Sequence, residues 1–180
     1  MIYFFAPDHG DAADFRRRAE AHLNGSVVAI RVQLDYAPQG LAEVAAAVHL
    51  ALADEELEAE CRAAGVDELD DLRRSMAARD TLDAGVLTPA DEQALAARLR
   101  WMLTEPEVFY PSGKTPATPA EAEALSGGFL RWFLAGKGPS WKVACLDPRV
   151  LVGFADNFYD SAWVAWRGVE LRILVQNGSD

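Results

Sequence analysis

The final forty residues constrain the fold most. Trp141 to Leu146, Val150 to Ala155, Ser161 to Trp166 and Val169 to Val175 are short runs rich in branched and aromatic residues, whose side chains pack well on a pleated surface. Asp147-Pro148-Arg149, Asp156-Asn157 and Arg167-Gly168 lie between them and are of the types that make tight turns. Strands joined by connections this short return beside one another, so residues 141–176 predict an antiparallel meander. If Arg167 and Gly168 form a two-residue loop, Trp166, Val164 and Ala162 stand opposite Val169, Leu171 and Ile173 on the core face. The reverse face then sets Trp163 opposite Arg172 and Ala165 opposite Glu170. There Trp163 has three readings: stacked on Arg172, packed beneath a helix, or an anchor for a partner. A sheet this apolar on both faces favours the helix cover.

The other end of the chain reads as β-α-β. Met1 to Ala6 is strand-like and stops at Pro7, and Pro7 to Gly10 makes a turn. From Asp11, the residues Phe15, Ala19 and Leu23 recur every fourth position, with Asp11 and Asp14 early and Arg16, Arg17, Arg18 and His22 later. These charges complement a helix dipole. Asn24-Gly25 ends the helix, and Val27 to Leu34 is the next strand. Were the two strands parallel neighbours, the crossover would be right-handed.

Residues 41–104 carry no strand signal. Leu41, Val44, Ala45, Val48 and Leu52 form an apolar stripe at helical period, with Glu43, Asp54 and Glu58 on the other side, and Gly65 closes this helix. Asp67 to Ala78 is a second, with Leu69, Leu72 and Met76 on one face. Thr88-Pro89-Ala90-Asp91 predicts the start of a third, with a hydroxyl cap, a proline at the first helical position and an early carboxylate. Residues 106–119 contain four prolines and read as a loop. The same start chemistry recurs in Thr118-Pro119-Ala120-Glu121, which also fits a capping box. The helix that follows runs to about Ala135, and Gly127 and Gly128 within it mark a break or a close helix contact. A chain of 180 residues, 51% hydrophobic and 25% charged, is within reach of one core. The expectation is a single α+β domain over residues 1–180: an N-terminal β-α-β unit, central helices and a C-terminal meander in one mixed sheet packed against helices.

Charge is unevenly placed. Residues 1–110 hold 21 Asp and Glu against 10 Arg and no Lys, whereas residues 111–180 hold 7 acids and 7 bases, so the net charge of -11 lies wholly in the first part. Ten of the acids fall in residues 41–71, against Arg62 alone. Such a surface repels nucleic acid and anionic membrane and attracts a basic protein. Equally, it can be a solvated helix face that maintains solubility. No apolar stretch approaches the ~20 residues needed to span a bilayer, and the first residues lack the layout of a signal peptide. Cys61 and Cys145 make neither a metal-ligand spacing nor a disulfide framework, which points to a reducing, cytoplasmic setting.

Three clusters could carry chemistry. Asp8, His9 and Asp11 occupy the turn between the first strand and helix, where an Asp and His pair could bind a metal or move a proton. The plainer reading is a turn and a helix cap. Asp156, Asn157 and Asp160 could hold a divalent cation, although the spacing matches no known loop and a hairpin connection accounts for it as well. Ser112-Gly113-Lys114-Thr115 resembles the end of a phosphate-binding loop but lacks the earlier glycine, so no nucleotide cofactor is expected. His22 and His49 sit where structural histidines sit, and no triad signature is present. The function expected is therefore binding or inhibition, in the manner of small acidic immunity proteins. A basic partner would dock on Asp54, Glu55, Glu56, Glu58, Asp67, Glu68, Asp70 and Asp71, with Trp163 and Arg172 as further contacts. The alternative is a small enzyme using the Asp8/His9/Asp11 turn or the Asp156–Asp160 connection.

Overall fold

The computed structural model describes residues 1–5, 9–23, 25–57, 59, 76, 80–104, 115–150 and 161–178. In chain order the elements are β1 (Ile2–Phe5), α1 (Asp11–Leu23), β2 (Gly25–Gln33), α2 (Leu41–Ala53), β3 (Leu87–Ala90), α3 (Glu92–Thr104), α4 (Pro119–Phe133), β4 (Lys142–Leu146), β5 (Ser161–Arg167) and β6 (Glu170–Gly178). Short 3-10 turns stand at Ala84–Val86 and Pro148–Val150. The strands form one sheet in the order β1-β2-β6-β5-β4-β3, so the class is the expected α+β, with its β-α-β unit and its C-terminal meander.

The sheet is not mixed. All its pairings are antiparallel, including β1 with β2, where Ile2 stands opposite Gln33 and Phe5 opposite Ile30. Here α1 returns the chain to the end of the sheet at which β1 left it. The handedness rule governs parallel crossovers only and has no bearing on this connection. Gly25 to Ala29 overhang β1, and Glu20 of α1 accepts the Val27 N–H at 3.1 Å.

The hairpin turn also lies one residue later than expected. Arg167 pairs with Glu170, Val164 with Ile173 and Trp163 with Leu174, leaving Gly168 and Val169 as the loop. Gly168 has φ of 57°, a conformation the first loop residue needs and glycine adopts without steric cost. An Arg167-Gly168 loop would have required Arg167 to take it. Because the register changes by an even number of residues, every side chain keeps its face.

Thr88-Pro89-Ala90 do not begin a helix. These residues are strand, and α3 starts later, with the Asp91 carboxylate accepting the Ala94 N–H at 2.7 Å as its cap. Proline is tolerated here because β3 is an edge strand, where a missing N–H can face outward. By contrast, Thr118 caps α4 as read, accepting the Glu121 N–H at 3.2 Å. The Glu121 carboxylate pairs with Arg18 at 3.1 Å. Finally, the helix read from Leu41 to Gly65 is interrupted at Asp54: α2 stops at Ala53, residues 55–57 form a further helical turn, and residues 60–65 lie outside the described residues. Asp54 has extended backbone, and its carboxylate accepts the Glu56 N–H at 3.0 Å.

Helices cover both sheet faces. On one, Tyr3, Ile30, Val32, Val164 and Ile173 pack against Val44, Val48 and Leu52 of α2, with Leu57 and Met76. On the other, Val27, Ala29, Leu174, Trp163 and Ala165 pack against Phe15 of α1, Leu95 and Leu99 of α3, and Phe129 and Phe133 of α4. The two glycines do not break α4. A Cβ on Gly128 would lie 2.7 Å from the Asp11 Cβ, so α1 and α4 approach through this glycine.

Candidate functional site

The two edges of the sheet differ. Pro89 in β3 withholds a backbone donor, and such a residue blunts an edge against pairing. At the opposite edge, β1 contains neither proline nor charge, and among the described strands it has β2 alone as a neighbour. Alternation along the strand sends Tyr3 inward beneath α2 and turns Ile2 and Phe4 to the other face, where they are 58% and 54% exposed. Helix α1 packs on β2, and the helical layer stops short of β1. Beside Phe4 across the ladder is Arg31, half-buried, whose guanidinium lies 5.7 Å from the centre of the Trp132 ring.

The acidic helical turn that follows α2, residues 55–57 capped by Asp54, lies against the same strand. Tyr3 donates its hydroxyl to the Asp54 carboxylate at 2.5 Å, tying β1 to the start of the acidic segment. Glu55 and Glu56 are exposed. A cleft of about 420 Å³ opens between strand and turn, lined by Met1, Ile2, Tyr3, Glu56 and Ala59. The two faces of β1 thus meet unlike surroundings: carboxylates on the Tyr3 side, and exposed apolar side chains with Arg31 on the other. Glu58, Asp67, Glu68, Asp70 and Asp71 lie outside the described residues.

Of the remaining sequence candidates, only some fall among the described residues. His9 is exposed, Asp11 pairs with Arg131 of α4 at 3.0 Å, and Asp8 lies outside the described residues. Asp156, Asn157 and Asp160, Cys61, and residues 112–114 of the Ser-Gly-Lys-Thr stretch lie outside them too. Among the described residues no group of three or more His, Cys, Asp or Glu is placed to hold a metal ion. His49 is buried with its Nε2 3.1 Å from the Met76 carbonyl oxygen, and His22 is buried within α1. Burial pushes the Cys145 thiol up, against the pull of Arg98, and so suppresses the thiolate that nucleophilic chemistry needs. Trp163 and Arg172, named as further partner contacts, are 8% and 2% exposed beneath the helical layer, the cover that the apolar reverse face favoured for Trp163. They therefore cannot be contacts for a docked protein.

Arg172 instead belongs to a cluster that the sequence pattern did not reveal. Arg167 and Arg172 both pair with Glu170, at 2.6 and 2.8 Å, and both lie over the Trp141 ring, at 4.3 and 4.7 Å. Arg172 Nε donates to the Phe133 carbonyl at 2.8 Å, Trp141 Nε1 to Leu134 at 2.9 Å, and Arg167 to Gly136 at 3.3 Å. The Phe133 and Leu134 carbonyls are acceptors left over at the C-terminal end of α4, where positive charge is favourable, and Gly136 lies in the turn just beyond it. Burial lowers Arg172 to about 10, with Arg31 adding to the effect and Glu170 opposing it, so the guanidinium stays charged at neutral pH. Burial raises the Glu170 carboxyl, but the hydrogen bonds from Arg167 and Arg172 outweigh it and leave it below the usual value. The arrangement is a helix terminus closed by side chains. Its only sequence signal was the Arg167/Glu170 pair flanking a glycine turn.

Comparison with protein-family models, curated proteins and solved structures finds no match to this chain.

Proposed function

We propose that this chain is a protein-binding or inhibitory protein that docks a basic partner beside β1, at the acidic turn after α2. One observation carries the reading: Ile2 and Phe4, 58% and 54% exposed, stand on an edge strand joined through Tyr3 to the carboxylate turn Asp54–Glu56. Exposed apolar residues next to a charged border are the makings of an interface, the apolar part supplying burial and the charge selecting the partner. The overall charge of -11 favours encounter with a basic molecule over an acidic one.

The test is affinity capture of basic proteins by the full chain, with the bound protein identified and its affinity measured in increasing salt. The expected outcome is a complex weakened by salt and by reversing Glu55 and Glu56 to Lys. A complex indifferent to both would overturn this reading.

A further inference from the structure

We infer that β1 accepts a partner segment as an added antiparallel or parallel strand, and that the segment alternates basic and apolar residues; the inference rests on the function proposed above. Among the described residues β1 is an edge strand, which leaves the N–H and C=O groups of alternate residues unpaired, and an extended peptide satisfies them by extending the sheet. Main-chain bonds then supply affinity, and the side-chain sites on the two faces supply specificity. Alternate side chains of the incoming strand face opposite sides of the sheet, so each face of β1 selects every second residue.

On the Tyr3 side the added residues meet the cleft with Glu56, next to Asp54 and Glu55, and a lysine or arginine there is matched in charge. On the other side they meet Ile2 and Phe4, with Arg31 in register beside Phe4. A basic residue on that side would face a guanidinium and forgo apolar contact, so apolar side chains fit. Charge also argues against a second copy of this chain. A two-fold axis normal to the sheet would bring the Glu55 and Glu56 carboxylates of both copies to one face, between molecules of charge -11.

The probe is a labelled, end-blocked heptapeptide of alternating lysine and valine, titrated against the 180-residue chain by fluorescence anisotropy. Amide hydrogen exchange at residues 2–5 is followed in parallel. Two control peptides accompany it, one N-methylated at every amide and one with the same residues in two blocks, four lysines then three valines. The alternating peptide should bind and slow exchange at residues 2–5, and each control should bind about tenfold or more weakly, the N-methylated one through the loss of a few hydrogen bonds and the block one through mismatched side chains on the two faces. Phe4→Thr, at an exposed position, and the double variant E55K/E56K should each weaken it by about fivefold or more.

Equal binding of the N-methylated peptide would overturn strand addition, and equal binding of the block peptide would overturn the alternating pattern, either one leaving the acidic-surface reading standing. Binding abolished by N-methylation but untouched by salt and by E55K/E56K would overturn the basic half of the pattern and the function proposed above with it. Failure of the alternating peptide to bind, or protection of residues 2–5 that rises with protein concentration alone, would overturn the inference, the latter in favour of self-pairing.

Discussion

Glu170 is the side chain on which most charge at the α4 terminus depends. It is the carboxylate shared by two guanidiniums whose side chains are 6% and 3% exposed. Removing one partner from a buried ion pair leaves the other charge uncompensated. Glu170→Gln should therefore destabilise the fold by about 2 kcal/mol, less than for a fully buried pair because its own side chain keeps 27% exposure; denaturant unfolding at neutral pH measures it. The pH dependence has a definite sign. Because the folded state holds this carboxyl below its ordinary value, its contribution is present above the unfolded value, ~4.3, and is lost as pH falls through the lower folded value. Wild type should lose more stability than Glu170→Gln when thermal melts are compared between pH 6 and pH 3.

At the scale of elements, the two glycines of α4 make opposite predictions. A Cβ on Gly127 would meet only Arg131, 3.6 Å away at ordinary contact distance, so Gly127→Ala should stabilise by about 0.5–1 kcal/mol through helix propensity. Gly128→Ala gains the same propensity but drives a methyl to 2.7 Å from the Asp11 Cβ, an atom fixed to the α1 backbone. The helices must then move apart, and overpacking of this kind costs about 1–3 kcal/mol, so a net loss is expected. Thermal unfolding of the two single variants separates them, and equal effects would mean that the α1–α4 contact is looser than described. Element β3 makes the complementary point about reading a sequence. Thr88-Pro89 has the chemistry of a helix start, yet proline suits an edge strand as well. Which applies depends on whether a partner strand is present, and that partner, β4, lies more than fifty residues away in the chain.

For the molecule as a whole, the sheet separates two helical layers, and α2 with residues 54–57 belongs to the layer over Tyr3. The outward side of α2 is itself nearly uncharged, exposing Ala42, Glu43 and Leu50, so among the described residues the acids gather past its end, next to β1. Charge reversal should therefore depend on position. Glu55→Lys and Glu56→Lys should weaken a basic partner severalfold at low salt, while Glu43→Lys, earlier on α2, should have a smaller effect. Titration of the captured partner against each variant at two salt concentrations tests this, and equal losses at all three positions would indicate long-range attraction without a local site.

Much of the architecture could be read locally. Apolar runs between turn residues identified the meander, four-residue periodicity identified α1 and α2, and Thr118-Pro119 marked the start of α4, because each rests on contacts within a few residues. The division of the C-terminal strands into two faces also followed, since it depends only on alternation. What the sequence left open were relations between distant segments: the antiparallel return of β2, the strand at Leu87–Ala90, the burial of Trp163 and Arg172, and the edge at β1, uncovered among the described residues. Each depends on which element lies alongside, and that is set by packing across the whole sheet. Exposure decided the candidate site. The acids were visible as a run of letters, but only the tertiary structure placed Asp54, Glu55 and Glu56 beside an open strand bearing Ile2 and Phe4.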